Sequence, residues 1–130
     1  MASSIARVAG LAAAIGLAGT AAFQLLLALG VPWGRAAWGG AHNRLPAALR
    51  VASALSAGVL LIAAFVVLGR AGYWGGSAGL FRWGTWALVG LLAFSALGNF
   101  ASSSRWEKFL LGPVAISVSL LCLIVALDRS

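Results

Sequence analysis

The sequence predicts an all-α protein that forms an integral membrane bundle of four transmembrane helices. Of the 130 residues, 62% are hydrophobic and only 8% are charged, whereas a soluble domain carries about 25% charged residues. The charged residues delimit long uncharged segments, and connections rich in Gly and Trp separate these segments. Length and composition together indicate one membrane domain that covers residues 1–130.

Four uncharged segments are long enough to cross a membrane. They cover residues 8–34, 51–69, 83–104 and 109–127. A membrane-crossing helix needs about 20 apolar residues, because each residue adds about 1.5 Å to its length. With flanking residues taken into account, we predict transmembrane helices at about 8–30, 47–69, 84–102 and 107–127. The Gly-rich residues 71–81 are too few to cross and are expected to form a loop.

The first segment has some features of a signal peptide. Arg7 precedes its apolar stretch, and small residues stand at 20–22. The apolar run continues through FQLLLALG, however, and is longer than the core of a typical signal peptide. We therefore expect a first helix that is retained.

The fourth segment contains Gly112-Pro113, which predicts an irregular helix. Proline lacks the backbone N–H that bonds to the preceding turn, and it kinks a helix interior. A helix that began at Pro113 would span 113–127, about 22 Å against a core of about 30 Å. We therefore expect a kinked helix rather than a late start.

Small residues recur at helical spacing in two segments and predict close helix packing. These residues are Gly10, Ala14, Ala18 and Ala22 in the first segment, and Ala115, Ser119, Cys122 and Ala126 in the last. Such rows let helix backbones approach closely in lipid. Packing within one bundle is the favoured interpretation, and a dimer interface is the alternative. Cys122 is expected to be an inert packing thiol.

The basic residues do not indicate nucleic-acid binding. The net charge is +7, but the cations stand singly at the ends of apolar runs, where they orient membrane helices. They do not choose an orientation, because the two sides balance. One side has Arg35, Arg44, Arg50, Arg105 and Lys108; the other has Arg7, Arg70, Arg82, Arg129 and the amino terminus. The excess of Arg, Ala and Gly favours a bacterial source, and we expect a multi-pass protein of the inner membrane.

The tryptophans are predicted to anchor the bundle at both membrane surfaces, because indole rings favour the headgroup region. They divide evenly between the two sides. Trp33, Trp38 and Trp106 lie on one side, and Trp74, Trp83 and Trp86 on the other.

Other polar residues gather on the side of the first and third loops. Helical spacing places Ser95, Asn99 and Ser102 on one face, and polar groups in hydrocarbon usually face a bundle interior. We predict that Gln24, Arg50, Asn99 and Glu107 converge in a pocket with WGGAHNR (38–44) as its lid. The full candidate ligand-binding set is Gln24, Arg35, His42, Arg44, Arg50, Asn99, Ser102, Arg105 and Glu107.

Each of these residues also has a simpler interpretation. Ser104 and Glu107 fit a helix capping box, and Glu107 alternatively pairs with a loop arginine. Arg50 alternatively extends to lipid headgroups. His42 is a lone loop histidine, which is more often solvated than catalytic. Asn99 fits an interhelical hydrogen bond.

No catalytic or metal-binding motif is present in the sequence. It contains no nucleophile elbow, HExxH, phosphate loop or CxxC, and no carboxylate lies in mid-membrane to couple proton transport. We therefore predict no catalytic residue, no metal ligand and no cofactor.

The chain carries a series of short motifs: PWGRAAWGG (32–40), LP (45–46), LRVAS (49–53), Asn99, SSSRWE (102–107) and GP (112–113). This series resembles an uncharacterised family of small four-helix bacterial membrane proteins. Members often carry an acidic residue where Arg35 stands, and often Gln-His before the LP, where this chain has Ala41-His42. The resemblance implies a polytopic membrane protein and no particular activity.

These observations leave two main functional hypotheses. The first is an accessory or binding protein whose pocket holds an anionic lipid headgroup or a partner membrane protein. The second is a small channel or transporter that works as a homo-oligomer, with Ser95, Asn99 and Ser102 facing a shared pore. A membrane enzyme that uses His42 and Glu107 is the third and least supported hypothesis.

Overall fold

The computed structural model describes residues 3–74 and 79–128, which form four long helices and no strand. We name the helices α1 (Ser4–Ala28), α2 (Ala47–Arg70), α3 (Gly79–Ala101) and α4 (Glu107–Ala126). Each is long and apolar enough to cross a membrane. The all-α class is thus confirmed, as is the number of helices with the dimensions of a membrane span. Part of the predicted loop 71–81, and Arg129, lie outside the described residues.

Two helices begin earlier than the charge pattern suggested. α1 starts at Ser4, where Ser3 Oγ accepts a 3.1 Å hydrogen bond from the N–H of Ala6. α3 is helical from Gly79, ahead of Arg82. The charged residue marks the limit of the apolar surface rather than the limit of the helix. A helix can carry an exposed arginine in its first turns because the side chain leaves the bundle.

The bundle core is built mainly from small side chains. α1 packs against α2 and α4, and α3 packs against α4. A Cβ on Gly10 would lie 2.4 Å from the Cβ of Ala71, so this contact tolerates no larger residue. In α4 the whole predicted row from Ala115 to Ala126 is buried, whereas in α1 Ala18 and Ala22 are exposed. The α4 row therefore packs within the bundle.

α4 passes through Pro113 without a late start. Its first part, Glu107–Leu111, is a π-helical turn, and the N–H of Gly112 donates to the carbonyl of Glu107. The irregularity expected at the proline is thus a widened turn immediately before it, a common site of helix distortion. A Cβ on Gly112 would lie 3.0 Å from the Phe100 ring, so this glycine also lets α3 and α4 approach closely.

Arginines close the end of the bundle that carries the α2–α3 connection. The Arg7 guanidinium donates to the carbonyl of Gly72 at 3.1 Å and lies 4.3 Å from the centre of the Tyr73 ring. Tyr73 in turn donates its hydroxyl to the carbonyl of Arg7. Arg70, which is only 7% exposed, donates to the carbonyl of Asp128. This end is therefore fastened by side-chain contacts between helix termini.

Candidate functional site

The loop between α1 and α2 contains an unusual turn at Trp38-Gly39-Gly40. All three residues have positive φ, at 50°, 82° and 79°. A bulky residue rarely adopts this conformation, which costs about 1–3 kcal/mol. The turn is reinforced nearby, because the N–H of Gly34 donates to the carbonyl of Asn43 at 2.6 Å. A Cβ on Gly34 would lie 2.4 Å from the carbonyl oxygen of His42, which explains the first glycine of the pattern.

This turn binds the carboxylate of Glu107. The N–H of Gly39 donates to Glu107 Oε1 at 2.9 Å, and the hydroxyl of Ser102 donates to the same oxygen at 2.6 Å. The Trp38 indole N–H donates to Ser53 Oγ on α2 at 2.9 Å. We call Trp38, Gly39, Ser53, Ser102 and Glu107 the Glu107 network. It joins the first loop to α2 and to the start of α4.

The predicted capping box at Ser104 and Glu107 is half formed. Ser104 Oγ accepts a 3.4 Å hydrogen bond from the N–H of Glu107, as a helix N-cap does. The return bond is absent among the described residues, because the N–H of Ser104 donates to Ser102 Oγ instead. Ser104 also donates its hydroxyl to the carbonyl of Arg35. The Glu107 carboxylate is thereby left to bind Gly39 rather than its own helix end.

A cavity of about 470 Å³ lies among the four helices beneath Trp38. Its size is within the range of small-molecule sites, about 300–1,000 Å³. Most of its lining is apolar. The polar lining side chains are those of Thr20, Gln24, Trp38, Ser56, Ser95, Asn99 and Glu107.

The cavity opens sideways between α2 and α3. Leu55 and Val59 of α2 and Leu91 of α3 all line it, yet they are 67%, 52% and 54% exposed. These residues lie along the lengths of their helices rather than at the ends. A molecule can therefore reach the cavity through the side of the bundle.

Gln24 has an unsatisfied polar atom at the cavity. Its Oε1 is buried and has no hydrogen-bond partner among the described residues. Leaving a buried acceptor unpaired costs about 1–3 kcal/mol. The neighbouring Thr20 is satisfied differently, because its hydroxyl donates to the carbonyl of Gly16 at 2.8 Å. This oxygen has almost no accessible surface, so a molecule in the cavity does not reach it.

The structure brings together part of the predicted site. Gln24, Asn99 and Glu107 line the cavity, and the Ser102 hydroxyl donates a hydrogen bond to the Glu107 carboxylate. The remaining candidates are exposed and lie outside its lining: Arg35, His42, Arg44, Arg50 and Arg105. The lid is formed by Ala37 and Trp38, not by the His42–Arg44 part of the loop.

The expected convergence is wrong for Arg50. Its Nε donates to the carbonyl of Ala28 at 2.8 Å, and its guanidinium lies against Gly30 at the end of α1. The last carbonyls of a helix lack partners within the helix and attract cations. Arg50 therefore caps α1 and does not enter the cavity.

All six tryptophans are exposed, by 37% to 67%. Trp74 also stacks on Phe65, with ring centres 5.1 Å apart, and donates to the carbonyl of that residue.

Trp38 was predicted only as an anchor, and its position over the cavity was missed. The WGG triplet is the signal that could have revealed this position, since two glycines after a tryptophan permit the left-handed turn.

Comparison with known proteins finds no matching family model, no matching curated protein and no matching solved structure. The resemblance to small four-helix bacterial membrane proteins therefore stays a prediction. Over residues 3–74 and 79–128, no group of three His, Cys, Asp or Glu side chains is placed to hold a metal ion. Fold and site define a four-helix protein with a partly polar cavity that is open at its side.

Proposed function

We propose that this chain is a multi-pass integral protein of a bacterial plasma membrane and that it binds an amphipathic, lipid-like molecule. The outer faces of the helices support membrane insertion. Ile15, Ile62 and Phe94 are 64%, 65% and 76% exposed, and many other large apolar side chains share this exposure. Such surfaces suit hydrocarbon, because lipid chains contact them without the cost of exposure to water.

The observation that carries the proposal is the cavity of about 470 Å³, whose mostly apolar lining includes the polar side chains of Gln24, Asn99 and Glu107. An apolar cavity with a few polar groups at one place is typical of a ligand site. The apolar lining accommodates a chain, and the polar lining side chains accommodate a polar group. The sideways opening between α2 and α3 supports a ligand that enters from the bilayer rather than from water.

The position of Asn99 favours binding over a shared pore. Asn99 and Ser95 contribute to the cavity of their own bundle. The Glu107 network closes that cavity at the end of the first loop, since it ties Gly39 to Glu107 and Trp38 to Ser53. A water-filled pathway would need this end to open.

The experiment is native mass spectrometry of the protein released from bilayer nanodiscs. Ser95→Phe fills the cavity from an exposed lining position, and Ser117→Phe places the same ring on an exposed position of α4 outside the lining. We expect wild type and Ser117→Phe to retain a bound amphiphile and Ser95→Phe to lose it. Equal retention by all three proteins, or by none, contradicts the proposal.

A second candidate function is anionic-lipid binding at the surface of the same end. The Ser104 hydroxyl donates to the backbone carbonyl of Arg35, and Arg35 and Arg105, the residue after Ser104, are both exposed. Two exposed arginines near a helix end suit anionic headgroups. Replacing both arginines by alanine is expected to reduce enrichment of phosphatidylglycerol around the protein. Arg82→Ala at the other end is the control and should leave it unchanged.

A further inference from the structure

We infer that the cavity ligand carries a primary ammonium group on an apolar chain, as in a long-chain amine, and that Glu107 pairs with this group. This inference rests on the proposed binding function and adds the chemical class of the ligand. It differs from the anionic headgroup suggested by the surface arginines, because those arginines lie outside the cavity lining.

Glu107 is a carboxylate without a counter-ion. Among the described residues that line the cavity, it alone is ionisable. The sequence carries nine Lys and Arg residues, yet over residues 3–74 and 79–128 none of them forms an ion pair with Glu107. Charges withdrawn from water are normally paired. A cation supplied by the ligand would complete this site.

One oxygen of the Glu107 carboxylate remains open. Oε1 accepts hydrogen bonds from the N–H of Gly39 and the hydroxyl of Ser102. Oε2 accepts none from a described residue, and it retains accessible surface, whereas Gln24 Oε1 does not. Because Glu107 lines the cavity, a ligand cation can pair with Oε2 while the bonds to Gly39 and Ser102 stay in place.

The other polar lining groups also suit an ammonium. Its three N–H donors require acceptors, and the Asn99 amide oxygen and the hydroxyls of Ser56 and Ser95 line the same cavity. None of these three side chains has a hydrogen-bond partner within the described part of the chain. The Trp38 indole lines the cavity as well, and the face of an indole ring attracts a nearby cation.

Other headgroups fit this lining less well. A ligand carboxylate or phosphate would be desolvated beside a carboxylate of like charge, with no lining cation to pair with it. An alcohol can donate to Glu107 but leaves its charge without a counter-ion. The exposed arginines near the first loop act through water and salt, which weaken their effect relative to a contact inside the cavity.

The cavity also sets the direction of the ligand. Asn99 is close to the end of α3 and Glu107 begins α4, so these groups lie at the first-loop end of the bundle. Trp106 at this end is 59% exposed, and indole rings favour headgroup depth. An ammonium held there does not cross hydrocarbon, where a charge is costly. The chain extends toward Leu17 and Val118 in the core.

Trp38 provides a built-in reporter for this site. We would keep Trp38 and replace the other five tryptophans by Phe in the full chain, then titrate phosphatidylcholine nanodiscs with dodecyl probes whose chain bromines quench indole fluorescence. The probes share one chain and differ in headgroup: a primary amine, an alcohol and a carboxylate. Ser95→Phe in the same background measures the quenching that arises from probe dissolved in the bilayer.

We expect saturable quenching by the amine, about tenfold weaker binding of the alcohol and no saturable binding of the carboxylate, since the loss of a charged contact changes affinity by about that factor or more. Glu107→Gln keeps an acceptor for Gly39 and Ser102 and removes the charge. It should weaken amine binding about tenfold and leave alcohol binding unchanged. Lys108→Ala, at an exposed neighbour, should change neither.

The outcomes separate the two proposals. Saturable binding of the alcohol or the carboxylate at least as tight as that of the amine overturns the inference and preserves the proposed function. The same holds if Glu107→Gln leaves amine binding intact, or weakens amine and alcohol binding equally, as a purely structural role would. Saturable binding of none of the probes, with Ser95→Phe indistinguishable from its parent, overturns the proposed function and the inference with it.

Discussion

The backbone N–H of Gly39 donates a 2.9 Å hydrogen bond to Glu107 Oε1 and so joins two segments that are 68 residues apart in sequence. Backbone N–H groups exposed in a turn can bind an anion, and the Trp38-Gly39-Gly40 turn uses the N–H of Gly39 for this carboxylate. The contact fixes Trp38 over the cavity. The first loop is therefore held as part of the bundle.

Glu107→Ala should destabilise the protein by about 2 kcal/mol, because hydrogen bonds to a charged acceptor are stronger than those between neutral groups. Glu107→Gln keeps an acceptor and should cost less. The measurement is unfolding by SDS in mixed micelles. Lys108→Ala changes an exposed neighbour and is the control. A loss no larger than that of Lys108→Ala would show that the Glu107 network contributes nothing to stability.

Gly34→Ala should impair folding more than any other glycine substitution in the first loop. The new Cβ would lie 2.4 Å from the carbonyl oxygen of His42 and 2.6 Å from that of Asn43, and backbone atoms cannot rotate away. Gly58→Ala is the matched control, since a Cβ there meets nothing within 4 Å. The yield of monodisperse protein and its thermal midpoint decide the matter. Comparable values for the two variants would refute the close approach.

Trp38 and Ser53 should be energetically coupled. The indole N–H donates to Ser53 Oγ at 2.9 Å, and Ser53 is fully buried. Trp38→Phe and Ser53→Ala should each cost about 1 kcal/mol. The double variant should cost less than the sum by about 1 kcal/mol, because both single changes remove the same bond. Strict additivity in a double-mutant cycle would exclude that bond.

Arg50→Ala should reduce stability without changing ligand retention. Arg50 supplies a partner to the carbonyl of Ala28 at 2.8 Å, and such interactions at a helix end contribute about 0.3–1 kcal/mol. It does not line the cavity, so native mass spectrometry should show the same bound molecule as in wild type. Loss of that molecule at unchanged stability would show that Arg50 contributes to ligand binding.

Part of this arrangement follows directly from helical periodicity. Ser95 and Asn99 are four residues apart, and both reach the cavity as their shared face predicts. Gln24 was placed near the first loop by its position close to the end of a long apolar run. The four helices followed from the gaps between charges, although α3 begins before Arg82.

Other features depend on contacts that the sequence pattern does not encode. The direction of Arg50 was wrongly predicted because a long side chain at a helix start reaches several places, and here the carbonyl of Ala28 is within reach. The binding of Glu107 by Gly39 requires positive φ at Trp38, which is unfavourable for that residue on its own. Contacts with the rest of the bundle therefore determine the φ angle of Trp38.

The most direct test of the account is to locate the chain of a bound ligand. A dodecylamine with a diazirine at its far end would be photolysed with the protein in nanodiscs, and labelled peptides would be sequenced by mass spectrometry. We predict labelling of Leu17, Leu92 and Val118, the lining residues in the bundle core, and its loss in Ser95→Phe. Labelling confined to outward-facing residues such as Ile15, Ile62 and Phe94, unchanged in Ser95→Phe, would contradict a ligand-binding cavity.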